Sequence, residues 1–441
     1  MPGEGAVRQM NYHAYELAHA LLAPWRLGLE TLRAGLDHPL NPLALWPHSR
    51  GLSAACEIFE KVTRRYGKPA FGIKEAVADG RPVAIREEVI AATPFCTLRR
   101  FARDEPLSSG AEAPPQVLLV APMSGHYATL LRGTIAGLAG AHDVYVTDWS
   151  DARDVPLIAG PFGLEHFIDH VIEHLSIVGP QAHLIGISQS SVPALAATAL
   201  LAARNDPIVP TTLTLLGGPI DTRVNPTAVN RLIEDRSRAW FEAHAISLVP
   251  MLHAGAMRRV YPGFMQLTGF MTMDLDRHWS AHVGLFYDLV RGDRDSLEQH
   301  RAFYEDYMAV MDLTAEFFLD TVDLVFQKHA LPKGELSHRG ARVDCGAIRS
   351  TVLTTAEAER DVICGAGQTH AAHVLCRNLP DGLRHKLDLA GAGHFGLFNG
   401  TRWRTEIAPF VARTIAAADW ARHGAWPEAA TANIVRLPSS R

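Results

Sequence analysis

The sequence predicts an α/β fold with a mostly parallel sheet flanked by helices. Short, continuous apolar runs alternate with helix-like segments at VLLVAP (117–122), VYVTDW (144–149), HLIGIS (183–188) and TLTLLGG (212–218). Runs of this kind are typical of strands that are buried on both faces of a parallel sheet. The alternation stops near Asn225 and resumes at STVLTT (350–355) and HKLDLAG (385–391). This interruption indicates one sheet with a long insertion between its later strands, not two separate domains.

Three parts of the chain follow from this pattern. Residues 1–66 show helical spacing of apolar side chains and form an N-terminal helical extension. Residues 67–224 and 341–441 form the α/β core, with a Pro-, Ser- and Gly-rich linker at 104–115. Residues 225–340 are rich in aromatic side chains and methionine, and we expect a helical cap over the core.

Composition excludes several classes of protein. The 441 residues are 47% hydrophobic and 20% charged, with a net charge of -5, which gives no basic surface for nucleic acid. The longest apolar run, near 192–203, is shorter than the roughly 20 residues that a membrane span requires. Five scattered cysteines and the lack of a secretory signal predict a reducing, cytoplasmic location without a disulfide framework.

One serine lies where a predicted strand turns abruptly into a helix, in LIGISQSSVPALAA. A nucleophile elbow needs small residues two positions before and after the nucleophile, and Gly186 and Ser190 flank Ser188 in this way. The usual pattern is G-x-S-x-G, so Ser190 replaces the last glycine. The alternative reading of this stretch is that Ser188 only caps the helix.

The rest of the chain favours the nucleophile, because a base and an acid follow in the required order. His394 lies in the glycine-rich loop LAGAGHFGLFNG, just after a predicted strand, and is the candidate base. Asp361 lies in the loop after the preceding strand and is the candidate acid. Glu357 and Glu359 are the competing acids.

Backbone N–H donors for an oxyanion are expected after the nucleophile and after an early strand. Gln189 supplies the first donor. Met123 in the loop APMSGHYATLLRG is the candidate for the second, with Ser124 as the next choice. Ser124 is also a candidate for contact with the substrate, and His126 in the same loop is interpreted as structural or as facing the substrate.

The segment 261–279 and a histidine-rich helix are further candidates. Tyr261, Phe264, Phe270 and Trp279 are predicted to line a groove for an apolar substrate, although the same side chains could simply form the core of the cap. The stripe of histidines in HFIDHVIEH could bind a metal, but a solvated edge of a docked helix is the preferred interpretation. We therefore expect no metal and no organic cofactor.

Three stretches resemble intracellular polyhydroxyalkanoate (polyhydroxybutyrate) depolymerases. They are APMSGHYATLLRGTIAGLAGAHDVYVTDWSDARDVPL, the elbow ISQSSVPALAA, and the tail from GAGQTHAAHVLCRNLPDG to GAGHFGLFNGTRWRTEIAPF. The resemblance implies an α/β-hydrolase that cleaves the ester bonds of an intracellular storage polyester. It also implies that the nucleophile, acid and base are Ser188, Asp361 and His394. Well-known members of the family carry cysteine at the elbow, whereas this chain carries serine.

The predicted function is hydrolysis of short-chain polyhydroxyalkanoate to 3-hydroxyalkanoate oligomers or monomers by a serine acyl-enzyme. The predicted partner is the polymer at the surface of a cytoplasmic storage granule. A small-ester hydrolase or thioesterase would keep the same three side chains, and a non-catalytic granule-binding protein would not need them. A polyester synthase would need a cysteine nucleophile, and none of the cysteines lies at the elbow.

Overall fold

A nine-stranded sheet forms the centre of the computed structural model, which describes residues 4–38, 40–42, 48–78, 80–104, 113–273 and 305–423. Its strands are β1 (Glu75–Ala78), β2 (Arg81–Ala92), β3 (Cys96–Arg103), β4 (Gln116–Val120), β5 (Asp143–Trp149), β6 (His183–Ile187), β7 (Thr212–Leu216), β13 (Val352–Ala358) and β14 (Arg384–Leu389). Their order across the sheet is β1-β2-β3-β5-β4-β6-β7-β13-β14.

The six strands from β5 to β14 in that order run parallel to one another. These strands coincide with the six apolar runs of the sequence, and every residue of β5, β6, β7 and β13 is buried. The predicted α/β class with a mostly parallel sheet is therefore confirmed.

The first three strands were not predicted. They pair antiparallel with each other, and β3 pairs antiparallel with β5. Most residues of β2 are exposed or partly exposed, and the strand has an irregularity between Val89 and Ala91. A strand with charged side chains along its length lacks the continuous apolar signal that marks the buried strands.

Helices cover the two faces and the ends of the sheet. They are α1 (Glu4–Leu36), α2 (Ser49–Thr63), α3 (Arg132–Ala139), α4 (Leu164–Val178), α5 (Ser191–Ala203), α6 (Ala228–Glu234), α7 (Arg238–His244), α8 (Gly263–Met273), α9 (Ala315–Asp320), α10 (Ala330–Lys333), α11 (Ala372–Leu375), α12 (Gly400–Arg402) and α13 (Ala408–His423). The first eleven residues of α5 are buried, which is why this helix lacks an amphipathic pattern.

The insertion between β7 and β13 contains more than helices. Three short strands, β8 (Ser247–Leu248), β9 (Arg259–Tyr261) and β10 (Leu313–Thr314), form a small antiparallel sheet in the order β10-β9-β8, and β11 (Ser337–His338) pairs with β12 (Ala341–Arg342). Strands of two or three residues are too short to produce a readable alternation.

The N-terminal helix α1 is joined to this insertion by a long-range contact. The Tyr12 hydroxyl donates a hydrogen bond of 2.5 Å to the carboxylate of Asp312, and both side chains are buried. Glu16 of α1 also contacts His253 of the insertion, with Oε1 3.4 Å from Nε2. Helix α1 is therefore held against the insertion by polar contacts as well as by packing.

Within the part of the chain that the structure describes, no helix combines the length and the apolar character needed to span a membrane.

Candidate active site

The candidate nucleophile lies at a sharp turn between β6 and α5. Ser188 directly follows the last residue of β6 and has a φ of 53°, in the left-handed region that side chains other than glycine rarely adopt. A Cβ on Gly186 would lie 3.0 Å from both Ala194 Cβ and Ser191 Cα, so a side chain there would press on the helix. The strained serine and the small residue before it are the geometry of a nucleophile elbow.

Ser190 occupies the position where the usual motif has glycine. Its hydroxyl lies 2.7 Å from the carbonyl of Val120 and 2.8 Å from that of Ile187, and it accepts a hydrogen bond from Ile187 N–H at 2.8 Å. Ser190 is fully buried. The elbow therefore accommodates the extra side chain by directing it inward, onto the ends of β4 and β6.

Three side chains form a continuous hydrogen-bonded chain at this turn. His394 Nε2 lies 3.0 Å from Ser188 Oγ, and His394 Nδ1 lies 2.6 Å from Asp361 Oδ2. The side chains of His394 and Asp361 are 6% and 2% exposed, whereas Ser188 is partly exposed. A base placed between a reachable hydroxyl and a buried carboxylate can take the proton of that hydroxyl.

The Asp361 carboxylate is fixed by the backbone as well as by the histidine. Its Oδ1 accepts hydrogen bonds of 2.8 Å from the N–H groups of Ile363 and Cys364. The opposite oxygen is thereby aimed at His394.

Neither of the competing acids holds that place. Glu357 is buried and accepts hydrogen bonds from the backbone N–H groups of Gly367, Thr369 and His370. Glu359 accepts a hydrogen bond from Gly391 N–H at 2.6 Å. Both glutamates thus fix neighbouring loops.

The two predicted oxyanion donors lie on either side of the nucleophile's turn. Met123 follows the end of β4 and is fully buried, and Gln189 directly follows Ser188. Among the described residues, no hydrogen bond is donated by the backbone N–H of Met123 or by that of Gln189. The Gln189 side chain reaches across to the insertion, where its amide nitrogen lies 3.5 Å from Thr321 Oγ1.

Ser124 and His126 take part in contacts with the insertion. The Ser124 carbonyl accepts a hydrogen bond from the Gln266 amide. His126 is buried, its Nε2 lies 3.1 Å from the carbonyl of Tyr307, and burial lowers the pKa of His126 to about 4. His126 is thus a neutral side chain at the joint between core and insertion.

The predicted aromatic residues of segment 261–279 lie in different surroundings. Tyr261 stacks on Phe318 with ring centroids 4.0 Å apart, and burial raises its pKa to about 12. Phe264 stacks on Tyr15 of α1 at 4.1 Å. The side chain of Phe270 and the whole of Trp279 lie outside the described residues. The contacts of Tyr261 and Phe264 are therefore packing contacts within the protein, and a substrate role for this segment stays a prediction.

Aromatic rings next to the candidate base were not predicted. Phe395 and Phe398 lie 5.9 Å and 5.6 Å from the His394 ring, and Tyr307 lies 5.9 Å from Phe395. Phe395 and Phe398 closely follow the base in the predicted loop, so their proximity could have been predicted from the sequence. Tyr307 comes from the distant insertion and gives no such signal.

The histidine stripe of α4 is only partly the solvated edge expected from the sequence, since His166 and His170 are partly exposed whereas His174 is buried. His174 is 1% exposed, and burial lowers its pKa to about 3. His170 hydrogen-bonds Thr93 Oγ1 at 3.1 Å and packs 5.9 Å from Trp149. At His174, helix α4 therefore buries more of its surface than its apolar side chains alone indicated.

A different group could offer metal ligands. Within the described part of the chain, Glu357, His370 and Asp388 have ligand atoms within 4.8 Å of one another. His370 already hydrogen-bonds Asp388 at 3.0 Å and Thr355 at 2.6 Å, while both oxygens of Glu357 accept backbone N–H groups. These bonds account for the cluster, and we assign no metal to it.

The strand order and the elbow together define the class of the protein. A serine follows the central strand β6, and an acid and a histidine follow β13 and β14 in a mostly parallel sheet. This arrangement is that of an α/β-hydrolase. Residues 217–419 match the family model described as "PHB de-polymerase C-terminus", which confirms the resemblance seen in the sequence. The matched range includes Asp361 and His394 and supports an ester hydrolase; Ser188 precedes it.

Several solved structures are similar to the chain. A thioesterase domain from the curacin biosynthetic pathway has 11% identity and a TM-score of 0.41, covering 76% of this chain and 99% of its own. A monoacylglycerol lipase of Paleococcus ferrophilus has 12% identity and a TM-score of 0.39, covering 69% and 96%. The 2-hydroxy-6-oxo-6-phenylhexa-2,4-dienoate hydrolase of Rhodococcus sp. strain RHA1 has 15% identity and a TM-score of 0.39, covering 76% and 100%. Comparison with curated proteins gave no match.

Proposed function

We propose that the protein hydrolyses the ester bonds of a short-chain polyhydroxyalkanoate, such as polyhydroxybutyrate, through an acyl-enzyme on Ser188. The observation that carries this proposal is the hydrogen-bonded chain from Ser188 through His394 to Asp361. The family match over residues 217–419 supports the choice of a polyester as the substrate.

The first half of the reaction transfers the acyl group to the enzyme. His394 Nε2 takes the proton of Ser188 Oγ, and the oxygen attacks the ester carbonyl to give a tetrahedral intermediate. When the intermediate collapses, the C–O bond of the ester breaks and the departing alkoxide takes the proton from His394. The released chain ends in a hydroxyl group, and the other chain remains esterified to Ser188.

The second half uses water in place of the alcohol. His394 Nε2 takes a proton from a water molecule, and the resulting hydroxide attacks the acyl-enzyme carbonyl. Collapse of the second intermediate returns the proton to Ser188 Oγ and releases a carboxylic acid. In both halves Asp361 holds the tautomer of His394 and stabilises the imidazolium, without itself taking the proton.

The negative oxygen of each intermediate is held by the backbone N–H groups of Gln189 and Met123. Both belong to turns at the ends of buried strands, so their positions are fixed before the substrate arrives. Donors that need no reorganisation stabilise the developing charge more than water does.

A solid polyester must be admitted to this site past the insertion. We propose that residues 225–340 act as a cap, that residues 1–66 form an extension held against it, and that residues 67–224 and 341–441 form the core. The protein would act in the cytoplasm at the surface of storage granules. The aromatic segment 261–279 is the proposed point of entry for a polymer chain.

The decisive experiment incubates the purified protein with amorphous polyhydroxybutyrate granules and measures released 3-hydroxybutyrate and its oligomers. We expect hydrolysis by the wild-type protein and loss of nearly all of it in Ser188→Ala, since the residual catalysis of such sites is only about 10³ to 10⁴ over water. Ser176→Ala is a matched control, because it removes an exposed serine hydroxyl on α4, away from the elbow, and should leave hydrolysis unchanged.

Two alternatives give different outcomes in the same experiment. A small-ester hydrolase or thioesterase would cleave a soluble short-chain ester or thioester at a Ser188-dependent rate and leave granules intact. A non-catalytic granule-binding protein would sediment with granules and cleave neither substrate.

A further inference from the structure

A cavity distinct from the candidate active site lies between α1, the end of α2 and α8. Its volume is about 230 Å³, and its lining includes none of Ser188, Asp361 and His394. Apolar and aromatic side chains form much of its wall: Tyr15, Val62, Tyr66, Phe264, Leu267 and Met308. The cavity therefore offers an apolar surface to a small ligand.

The charged side chains of the lining are predominantly cationic. Arg64, Arg65 and Arg153 line the cavity, and Asp312 is the one carboxylate among its described lining residues. Both oxygens of Asp312 are occupied, one by the Tyr12 hydroxyl at 2.5 Å and the other by Gly263 N–H at 2.9 Å. The cavity thus presents positive charge without a free carboxylate to compete for it.

The acidic partners of these arginines lie outside the lining. Arg65 pairs with Glu16 at 2.7 Å, and Arg153 pairs with Asp151 at 3.0 Å. Arg64 makes longer contacts with acids, at 3.4 Å with Glu60 and 3.5 Å with Glu305, and its guanidinium lies over the Tyr66 ring, 4.1 Å from the centroid. Of the three guanidinium groups, that of Arg64 is therefore the least committed to acidic partners within the protein.

Two buried nitrogen atoms on this wall lack hydrogen-bond partners. They are Nε of Arg64 and Nδ1 of His19, and no described residue supplies an acceptor or donor for either. A buried polar group left unpaired costs free energy that a ligand atom can recover. An Arg64 N–H beside an apolar wall is suited to a carboxylate that carries a short hydrocarbon chain.

We propose that this cavity binds a short aliphatic carboxylate, with its carboxyl group on Arg64 and its hydrocarbon part against Tyr15 and Phe264. The volume is below the roughly 300 Å³ at which sites for drug-sized ligands begin, so it suits an acid of a few carbon atoms. The identity of the natural ligand rests on the proposed function, which would release 3-hydroxyalkanoates of this size.

Isothermal titration calorimetry of the full chain with butyrate tests the proposal, with butyramide as an uncharged probe of the same shape. We expect one saturable site for butyrate and binding of butyramide weaker by about tenfold or more, the effect of losing one charge-assisted contact. 3-Hydroxybutyrate should bind at the same site and displace butyrate.

Variants assign the binding to the cavity. Arg64→Gln should weaken butyrate binding by about tenfold, and Val62→Trp should abolish it by filling the cavity from a position that is 53% exposed. Thr268→Trp, on the exposed side of α8, replaces Val62→Trp if that variant does not fold. Arg404→Gln is the matched control, since Arg404 is exposed and does not line the cavity.

The proposal is overturned if butyrate gives no saturable heat, or if it binds equally to wild type, Arg64→Gln and the filled-cavity variant. Granule hydrolysis is measured on the same preparations. Binding without hydrolysis would remove the proposed function and leave the carboxylate site standing, whereas hydrolysis without binding would do the reverse.

Discussion

Replacing Asp361 by asparagine should disable the candidate base while preserving the fold. The Asp361 oxygen that accepts the N–H groups of Ile363 and Cys364 has an equivalent in the asparagine amide oxygen, so the loop can keep both 2.8 Å hydrogen bonds. The amide NH₂ group then faces His394 Nδ1 at the position now occupied by Oδ2, 2.6 Å away. Because NH₂ can only donate, Nδ1 must accept and the histidine proton moves to Nε2.

The expected loss follows from that change of tautomer. In the neutral imidazole that carries its proton on Nε2, this nitrogen cannot take the proton of Ser188 Oγ, which lies 3.0 Å away. The same substitution in a serine protease triad lowers kcat by about 10⁴, which corresponds to about 5.5 kcal/mol in activation free energy. We expect a decrease of this order in kcat with KM little changed, because the substrate site is not altered.

The assay is steady-state hydrolysis of a soluble short-chain ester, with the melting temperature of each variant measured beside the rates. Glu359→Gln and Glu357→Gln are the matched controls, since both glutamates accept backbone N–H groups away from His394. Glu359→Gln should change kcat by less than about threefold, within the range of surface substitutions. The reasoning is refuted if Asp361→Asn keeps a tenth of the activity, or if a glutamate variant loses as much as it does.

Three further predictions concern the elbow, the thiols and the buried acids. Ser190→Ala should lower the free energy of unfolding by about 1 to 3 kcal/mol, because Ile187 N–H loses its buried acceptor; urea unfolding measures this, and an unchanged midpoint would contradict it. All five cysteines are buried, so iodoacetamide should leave hydrolysis intact and rapid inactivation would point to a catalytic thiol. Burial, and to a smaller extent the negative charge of the nearby Asp312 carboxylate, raises the pKa of Asp151 from its ordinary value of 3.8 to about 7. The native state therefore binds this proton more tightly, and stability relative to Asp151→Asn should fall as pH rises towards 7, by at most about 1.4 kcal/mol per pH unit; a difference that is constant from pH 5 to 8 would refute this.

The buried parallel strands could be predicted because burial on both faces requires a continuous apolar run. The same rule fails for β2, because this mostly exposed strand admits charged residues and has no such run. The two-residue strands β8 and β10 both pair with β9. Because β10 is distant from β9 in sequence, no local pattern reveals this pairing. The mostly parallel character of the sheet could be predicted, while its antiparallel edge could not.

The candidate site could be predicted from the sequence because its residues come directly or soon after the ends of strands. Ser188 directly follows β6, while Asp361 and His394 come a few residues after β13 and β14, and parallel strands bring those ends to one edge of the sheet. Segment 261–279 has no such constraint. Whether Phe264 faces a substrate or another helix depends on where α1 lies, and its stacking partner Tyr15 is distant in sequence.

Gly217 explains how side chains from separated strands can meet. Across the sheet, β6, β7, β13 and β14 are consecutive, so His394 must pass over the end of β7 to reach Ser188. Gly217 directly follows β7, has a φ of 58°, and is tied to β13 by a 3.0 Å hydrogen bond to the carbonyl of Ala356. A Cβ there would lie 3.3 Å from His394 Nδ1 and 2.7 Å from Leu397 Cδ1. The close approach of the imidazole to the elbow therefore depends on a glycine that no catalytic motif includes, because the requirement comes from the strand order and not from the chemistry.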